Sequence, residues 1–347
     1  MIHGLRTLSK LLLLSMLCVA AATATAPAAD GRAPAEATHF DLTRPDIRAY
    51  VDALVNEQGM DRAQLTALLE AAVPQPQIIE SISKPAEKTL QWWQYRARML
   101  TPARIEAGVA LWREHRELLD RIAIKYAVAP EYLVALLGVE TAYGRSTGRY
   151  RVLDALCTLA FDYPPRADYF RKELAEWLLL VREQGLDALT LRGSYAGAMG
   201  ALQFMPSSYR KYAVSESRAP RLDLWTNWAD IFASTANYLH QFGWQYGAPV
   251  LAEAQPPPDP IPTPPDRATL TETIAGLRTR GFTIDTSLPP DTPAALLGAP
   301  LQDAMSYRVG FQNFYVITRY NGSTLYAMAV HDLAETLKAR ILEDGAS

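Results

Sequence analysis

From residue 42 to about residue 245, apolar side chains recur at helical spacing and only proline and glycine interrupt the pattern. Two hundred residues with that period predict a body made of helices and leave little room for a large sheet. The expected helices span 47–57, 61–72, 102–126, 130–143, 169–184 and 228–242. The pattern then changes. Residues 255–266 have PPPDPIPTPP at their centre. Each proline lacks a backbone donor and has a fixed φ, so this stretch is expected as an extended linker or surface excursion. A short helix over 271–279 should follow. Residues 307–320, YRVGFQNFYVITRY, are rich in aromatic and β-branched side chains and suit strand structure. A last helix is expected over 323–342. The fold class is therefore mainly α (α+β). A helical body over 38–254 is followed by a proline-rich linker over 255–268. A small β-containing segment with a terminal helix occupies 269–347.

The first residues are of another kind. His3, Arg6 and Lys10 precede an apolar run over 11–22, and small residues follow over 22–26. This is the pattern of a secretory signal peptide, placed at 1–26, and the run is too short for a stable membrane span. No later stretch is long and apolar enough to cross a bilayer. Cys18 follows Ser15-Met16-Leu17, whereas lipid-anchored precursors carry a small residue just before the cysteine and leucine three places before it. A soluble periplasmic monomer is thus favoured over a lipid-anchored form. Export would leave Cys157 as the single cysteine, so no internal disulfide is expected. The chain has 34 basic and 37 acidic residues, a formal charge of −3. With interspersed signs and no basic run, nucleic acid is excluded as a partner.

The segment VAPEYLVALLGVETAYGR carries the sharpest chemical signal. Pro130 suits a first helical position and Gly144 suits the position past the end. Leu133, Leu136 and Leu137 share one face, and Glu140 continues their stripe where a leucine is expected. Burial and the negative helix end both disfavour the charged form, so a raised pKa and general-acid chemistry are expected of Glu140. From this helix alone, an ion pair with Arg145 or Arg149, or a helix end reaching solvent, is the favoured explanation of the residue. The second segment is GSYAGAMGALQFMPSSYRKYA, residues 193–213. Gly193, Ala196, Gly197 and Gly200 allow close backbone approach, while Ser194, Tyr195 and Gln203 offer polar groups suited to sugars.

Taken in order, GVETAYGR, LDALCTLAFDYPPRADYF, GSYAGAMGALQFMPSSYRKYAV, DLW, ANYL and NFYVITRYNGSTLYAMAV resemble successive motifs of the lytic murein transglycosylase B family, over about residues 90–335. The resemblance implies a lysozyme-like helical core with a deep glycan cleft. It implies cleavage of the β-1,4 bond between N-acetylmuramic acid and N-acetylglucosamine in peptidoglycan, without water, leaving a 1,6-anhydromuramoyl end. Glu140 matches the single catalytic acid and base, and no cofactor is implied. Most glycosidases need two carboxylates. The resemblance implies that the substrate's N-acetyl group takes over the second role, in keeping with a 193–209 run that has no Asp or Glu.

Other positions carry over singly. Ser194, Tyr195 and Gln203 match substrate contacts, and Tyr320, Asn321 and Tyr326 match cleft residues around the glutamate. Tyr95, Tyr169 and Tyr238 look like aromatic cleft walls, and Arg166 would meet the acidic peptide stem. Peptidoglycan strands and other cell-wall enzymes are the implied partners. A hydrolytic muramidase and a non-catalytic wall-binding scaffold remain the alternative readings. Two departures stand out. Pro165-Arg166 replaces the usual pair of arginines. The loop SESRAPRLDLW, residues 215–225, has Ser215, Ala219 and Pro220 where a calcium loop needs Asp and Gly, so Ser217 and Asp223 alone make no cage. No metal site is expected there, with packing and the stiffness of Pro220 holding the loop.

Overall fold

Proline marks where several helices begin. The computed structural model describes residues 39–83, 90–216, 219, 221–259, 261, 263–265 and 267–345. The expected signal peptide and Cys18 lie outside them. The chain opens with α1 (Pro45–Gln58), α2 (Arg62–Ala71), α3 (Pro76–Ser83) and α4 (Trp92–Met99). It continues with α5 (Pro102–Glu114), α6 (Arg116–Tyr126) and α7 (Pro130–Thr141). Prolines in the first turn of α1, α5 and α7 cost no hydrogen bond, since those N–H groups have no helical acceptor. The single helix expected over 102–126 is two. His115 leaves helical geometry at φ −113°, and its ring packs against Trp228 and Phe232, 5.5 and 5.9 Å between centroids. No proline or glycine marks that break, so the sequence carries no sign of it.

Two helices are buried on all sides. Residues 131–139 of α7 are buried without exception, and so are residues 152–161 of α8 (Val152–Asp162). A helix that is apolar all round belongs in the middle of a protein. Each leucine or valine taken fully out of water there contributes about 2 kcal/mol. The strand β1 (Tyr150–Arg151) leads into α8 and pairs with β2 (Arg192–Gly193). Between them runs α9 (Ala167–Gln184), packed on α8. Next come α10 (Pro206–Tyr212) and α11 (Trp228–Gln241). No single described helix is long and apolar enough to cross a membrane.

A five-stranded antiparallel sheet follows. Its elements are β3 (Leu251–Gln255), β4 (Glu272–Thr273), α12 (Ile274–Thr279), β5 (Thr283–Ile284), β6 (Pro293–Pro300) and β7 (Met305–Gly310), with strand order β4-β6-β7-β3-β5. Both faces are covered, and the alternation along β6 shows how. Ala294 and Leu296 join a small core with Ile274, Leu277 and Phe282, while Ala295, Leu297 and Ala299 point into the main core. The proline-rich stretch leaves this sheet at β3 and rejoins it at β4.

The strand expected over 307–320 ends at Gly310. Residues Gln312–Tyr320 form helix α13, and α14 (Thr324–Gly345) completes the chain. Tertiary packing overrides β propensity here. Phe311, Phe314 and Ile317 are three residues apart and buried. The amide of buried Asn313 donates to the carbonyls of Gln245 and Ala248 and accepts from the N–H of Gln245. α14 lies against α7, and polar contacts fix its register. The Tyr132 hydroxyl meets His331 Nδ1 at 2.8 Å, and Lys338 pairs with Glu131 at 3.0 Å. Asp332 receives Arg96 from α4 and Arg308 from β7, tying helices to sheet.

Burial disfavours the imidazolium form of His331 and lowers its pKa from 6.5 to about 4. Below pH 6.5 the unfolded chain takes up a proton that the folded chain refuses until about pH 4. Stability from this residue is therefore full above 6.5 and is lost as the pH falls through that window. Denaturant titrations at pH 7.5 and 4.5 should show wild type losing about 2 kcal/mol more than His331→Gln. Parallel losses in the two proteins would show that His331 carries no such linkage.

Candidate active site

The end of α7 shapes the site. The helix stops at Thr141, two residues before the expected end, and Ala142, Tyr143 and Gly144 all have left-handed backbone, φ 48°, 63° and 78°. A glycine was expected to supply the turn, yet Ala142 is the residue that caps it. The N–H of Ala142 donates to Gly138 and that of Tyr143 to Leu137, which satisfies carbonyls left open at the helix end. Two non-glycine residues in this region cost about 1–2 kcal/mol each. Burial of the Tyr143 ring offsets that cost. A Cβ on Gly138 would lie 2.6 Å from the Tyr143 hydroxyl, so only glycine leaves the slot open.

Glu140 sits in the last turn of this helix and is half-buried. Its Oε1 accepts a hydrogen bond from the Tyr326 hydroxyl at 2.5 Å. Tyr320 lies beside it and donates to the carbonyl of Leu202. Tyr320 and Tyr326 have pKa values far above the ordinary tyrosine value, because burial and then the charge of Glu140 disfavour a phenolate. Both therefore remain hydrogen-bond donors through the neutral range. Tyr238 is raised for the same first reason, and its hydroxyl donates to Arg319 at 2.6 Å.

The 193–205 loop meets this group through its backbone. The Thr141 hydroxyl donates to Ala201 at 2.9 Å and accepts from Gly144 at 2.9 Å. Carbonyls 201 and 202 are thus gripped from α7 and from α13. Inside the loop, Ser194 Oγ accepts from the N–H groups of Ala196 and Ala198, and Met199 exchanges two bonds with Phe204. Gly200 has φ 66°, and a Cβ there would meet the Leu224 carbonyl at 2.6 Å. The Gln203 amide donates to Thr147 and to Gly200, both at 3.0 Å. Ser146, Arg149, Tyr150, Ser194, Tyr195 and Gln203 line a cavity of about 320 Å³. Arg149 reaches the Tyr150 hydroxyl at 3.1 Å.

The residues expected from the sequence fall into distinct groups. Glu140, Tyr320 and Tyr326 come together, and Ser194, Tyr195 and Gln203 line the cavity near them. Asn321 accepts from the N–H of Ser323 and faces a second, larger cavity. Tyr95 and Tyr238 are not open cleft walls. They are 3% and 6% exposed, and Tyr238 packs on Phe204 and Tyr320 behind the glutamate. Tyr169 is 37% exposed and carries the Arg166 guanidinium 4.4 Å above its ring. Thr141 acts as a support that the sequence did not reveal. Thr141 directly follows the glutamate, but the carbonyl it holds leaves no side-chain signature.

The 215–225 loop is closed by a residue outside it. Asp230, fully buried, accepts from the N–H groups of Glu216 and Asp223 at 2.8 and 3.1 Å. Asp223 caps Trp225 and Thr226, and Lys125 pairs with Glu216 at 2.5 Å. Ser217, Arg218 and Pro220 lie outside the described residues. Among the described residues no group of three His, Cys, Asp or Glu side chains is placed to hold a metal. Among the described residues these carboxylates bind backbone amides and a lysine.

Comparison with known proteins bears on this arrangement. The family described as Transglycosylase SLT domain matches residues 43–335. The chain is 38% identical over 304 residues to membrane-bound lytic murein transglycosylase B of Escherichia coli (strain K12), covering 84% of this chain and 82% of that protein. The crystal structure of soluble lytic transglycosylase SltB1 from Pseudomonas aeruginosa matches with TM-score 0.79 and 42% identity, over 85% of this chain and 99% of that one. Escherichia coli Slt35, solved in complex with calcium, matches with TM-score 0.80 and 37% identity, over 88% and 96%.

A ligand that binds only the folded state raises the melting temperature, so a chelator should shift it by less than about 1 °C here. A large drop with EDTA that calcium restores would show that the loop holds the ion after all.

Proposed function

The chain belongs to the Transglycosylase SLT domain family, and on that premise we propose that Glu140 is the one acid and base of its reaction. The protein is a lytic transglycosylase acting on peptidoglycan, with a lysozyme-like fold. The bond broken is the β-1,4 link from N-acetylmuramic acid to N-acetylglucosamine. Protonated Glu140 donates to the glycosidic oxygen, and the N-acetyl group of the muramic acid stabilises the anomeric carbon. The resulting carboxylate then removes the proton from the C6 hydroxyl, which attacks that carbon and closes the 1,6-anhydro ring.

The observation that supports this most directly is the hydrogen bond from Tyr326 to Glu140 Oε1 beside the 193–205 loop. A donor aimed at one carboxylate oxygen fixes the side chain. It also stabilises the anion that forms between the two steps. Ser194, Tyr195 and Gln203, which line the neighbouring cavity, are the proposed contacts to sugar substituents. Residues 1–26 are proposed to direct export to the periplasm, where the substrate lies.

Glu140→Gln should lower turnover of peptidoglycan by about a thousandfold or more while strands still bind. Products of the wild type should carry anhydro ends, one water lighter than reducing ends in mass spectra. Reducing ends alone would make the protein a muramidase, and wild type without activity would leave the scaffold reading. Tyr326→Phe removes one hydrogen bond to a charged group, so kcat should drop about tenfold to a hundredfold with KM little changed. Unchanged kcat would remove Tyr326 from the mechanism.

A further inference from the structure

We infer that Thr141 is a positioning residue for the reaction, whose hydroxyl ties the helical turn carrying Glu140 to the 193–205 loop. The inference rests on the reading of Glu140 as the general acid. Thr141 is 1% exposed, and two acceptors lie within reach of its Oγ1, the Leu137 carbonyl at 3.4 Å and the Ala201 carbonyl at 2.9 Å. The first is the bond that a helical threonine ordinarily makes, back to the residue four before it. Thr158 in α8 makes it, to the carbonyl of Asp154 at 2.7 Å. At Leu137 the N–H of Tyr143 already occupies the carbonyl at 3.0 Å. A hydroxyl has one proton to give, and the shorter, open contact takes it to Ala201.

Further bonds join the same two segments. The Thr141 carbonyl accepts from the N–H of Ser146 at 2.9 Å, and its hydroxyl accepts from the N–H of Gly144 at 2.9 Å, so both ends of the residue hold the left-handed turn. From the loop, the Gln203 amide donates to the carbonyl of Thr147 at 3.0 Å. Tyr320, beside the glutamate, donates to Leu202. Residues 201, 202 and 203 are thus bound in order to the helix of the acid, to a tyrosine beside it, and to the turn that follows it. Only the first of these bonds starts in the helical turn that holds Glu140.

The loop needs such partners. Gln203 holds φ 51°, a left-handed conformation that a non-glycine residue keeps only where its surroundings fix it. Without the Thr141 hydroxyl, the Gly144 N–H and the Ala201 carbonyl lose the bond between them, one on the turn and one on the loop. The cavity lined by Ser146, Gly148, Ser194 and Gln203 draws its walls from both segments. A sugar seated there would then meet the acid at a different distance, and a misplacement of about 1 Å can cost about a hundredfold in rate.

The test separates the hydroxyl from the shape of the side chain. On peptidoglycan, Thr141→Val should lower kcat about tenfold to a hundredfold with KM within about twofold, while Thr141→Ser should stay within about threefold of wild type. Thr158 is the matched control, equally buried, with a hydroxyl that also accepts from the N–H of Gln75 at 3.0 Å. Thr158→Val should lower the melting temperature and leave kcat unaltered. Thr141→Val with wild-type kcat and only a lower melting temperature would make the hydroxyl a prop of the fold and overturn the inference. A serine variant as slow as the valine one would overturn it too, as would a loss confined to KM. Should Thr141→Val not fold, Thr141→Ala leaves room for a water between the two backbone groups and should lose about threefold to tenfold in kcat. An alanine variant at the wild-type rate is equally fatal. Glu140→Gln at wild-type turnover would instead remove the acid, and with it the premise, whatever the Thr141 variants do.

Discussion

A carboxyl group in the last turn of a buried helix has lost much of the water that would solvate its charge. In this fold one hydroxyl replaces part of that water, and it belongs to Tyr326, 186 residues further along the chain. The contact exists because α14 lies along α7. Leu333 is fully buried in that interface, and Tyr132, His331, Glu131 and Lys338 set its register. Gly138 serves both partners, since a Cβ there would stand 2.6 Å from Tyr143 and 2.9 Å from Leu333. The absence of one methyl group lets the helix end turn sharply and lets α14 come close enough to deliver the hydroxyl. The C-terminal segment is thus part of the site.

The helical body was legible because its elements are long, periodic and bracketed by proline. Glu140 was legible because a carboxyl group on a leucine stripe contradicts the pattern around it. Where the reading failed, local signals and packing pointed in different directions. Residues 311–320 have the composition of a strand, but β propensity measures fit to a pleated, half-buried surface. Here Asn313 finds all its partners at 245 and 248, which only a helix at that place allows. Tyr95 and Tyr238 were recognisable as site residues by position and not by depth. Nothing in a sequence separates a tyrosine facing solvent from one packed behind the residue that does.

Backbone groups explain a further part of what the sequence concealed. Carbonyls 201 and 202 are held by the hydroxyls of Thr141 and Tyr320, and the Gln203 amide is spent on Thr147 and Gly200. Side-chain patterns identify donors and say little about which carbonyl receives them. Asp230 shows the same limit. It lies beyond the loop it closes, and its two bonds to the N–H groups of Glu216 and Asp223 perform by hydrogen bonding the loop closure that an ion performs in a metal-binding turn.

The left-handed run at 142–144 has a consequence for access to Glu140. Along a helix, side chains lean toward the N-terminus, so residues three and four positions later cover the face on which a given residue lies. Had α7 continued as far as the sequence predicts, Tyr143 would occupy the first of those positions over Glu140. Instead the helix stops at Thr141, and the Tyr143 ring turns inward against Gly108 and Gly138. The chain is led away toward Ser146 and Gly148, which line the cavity with Ser194 and Gln203. Strain in two non-glycine residues thus uncovers one face of a carboxyl group that would otherwise be sealed in the core. Burial on the remaining sides keeps that group apart from bulk water, and the two requirements of a general acid are met by ending a helix two residues early.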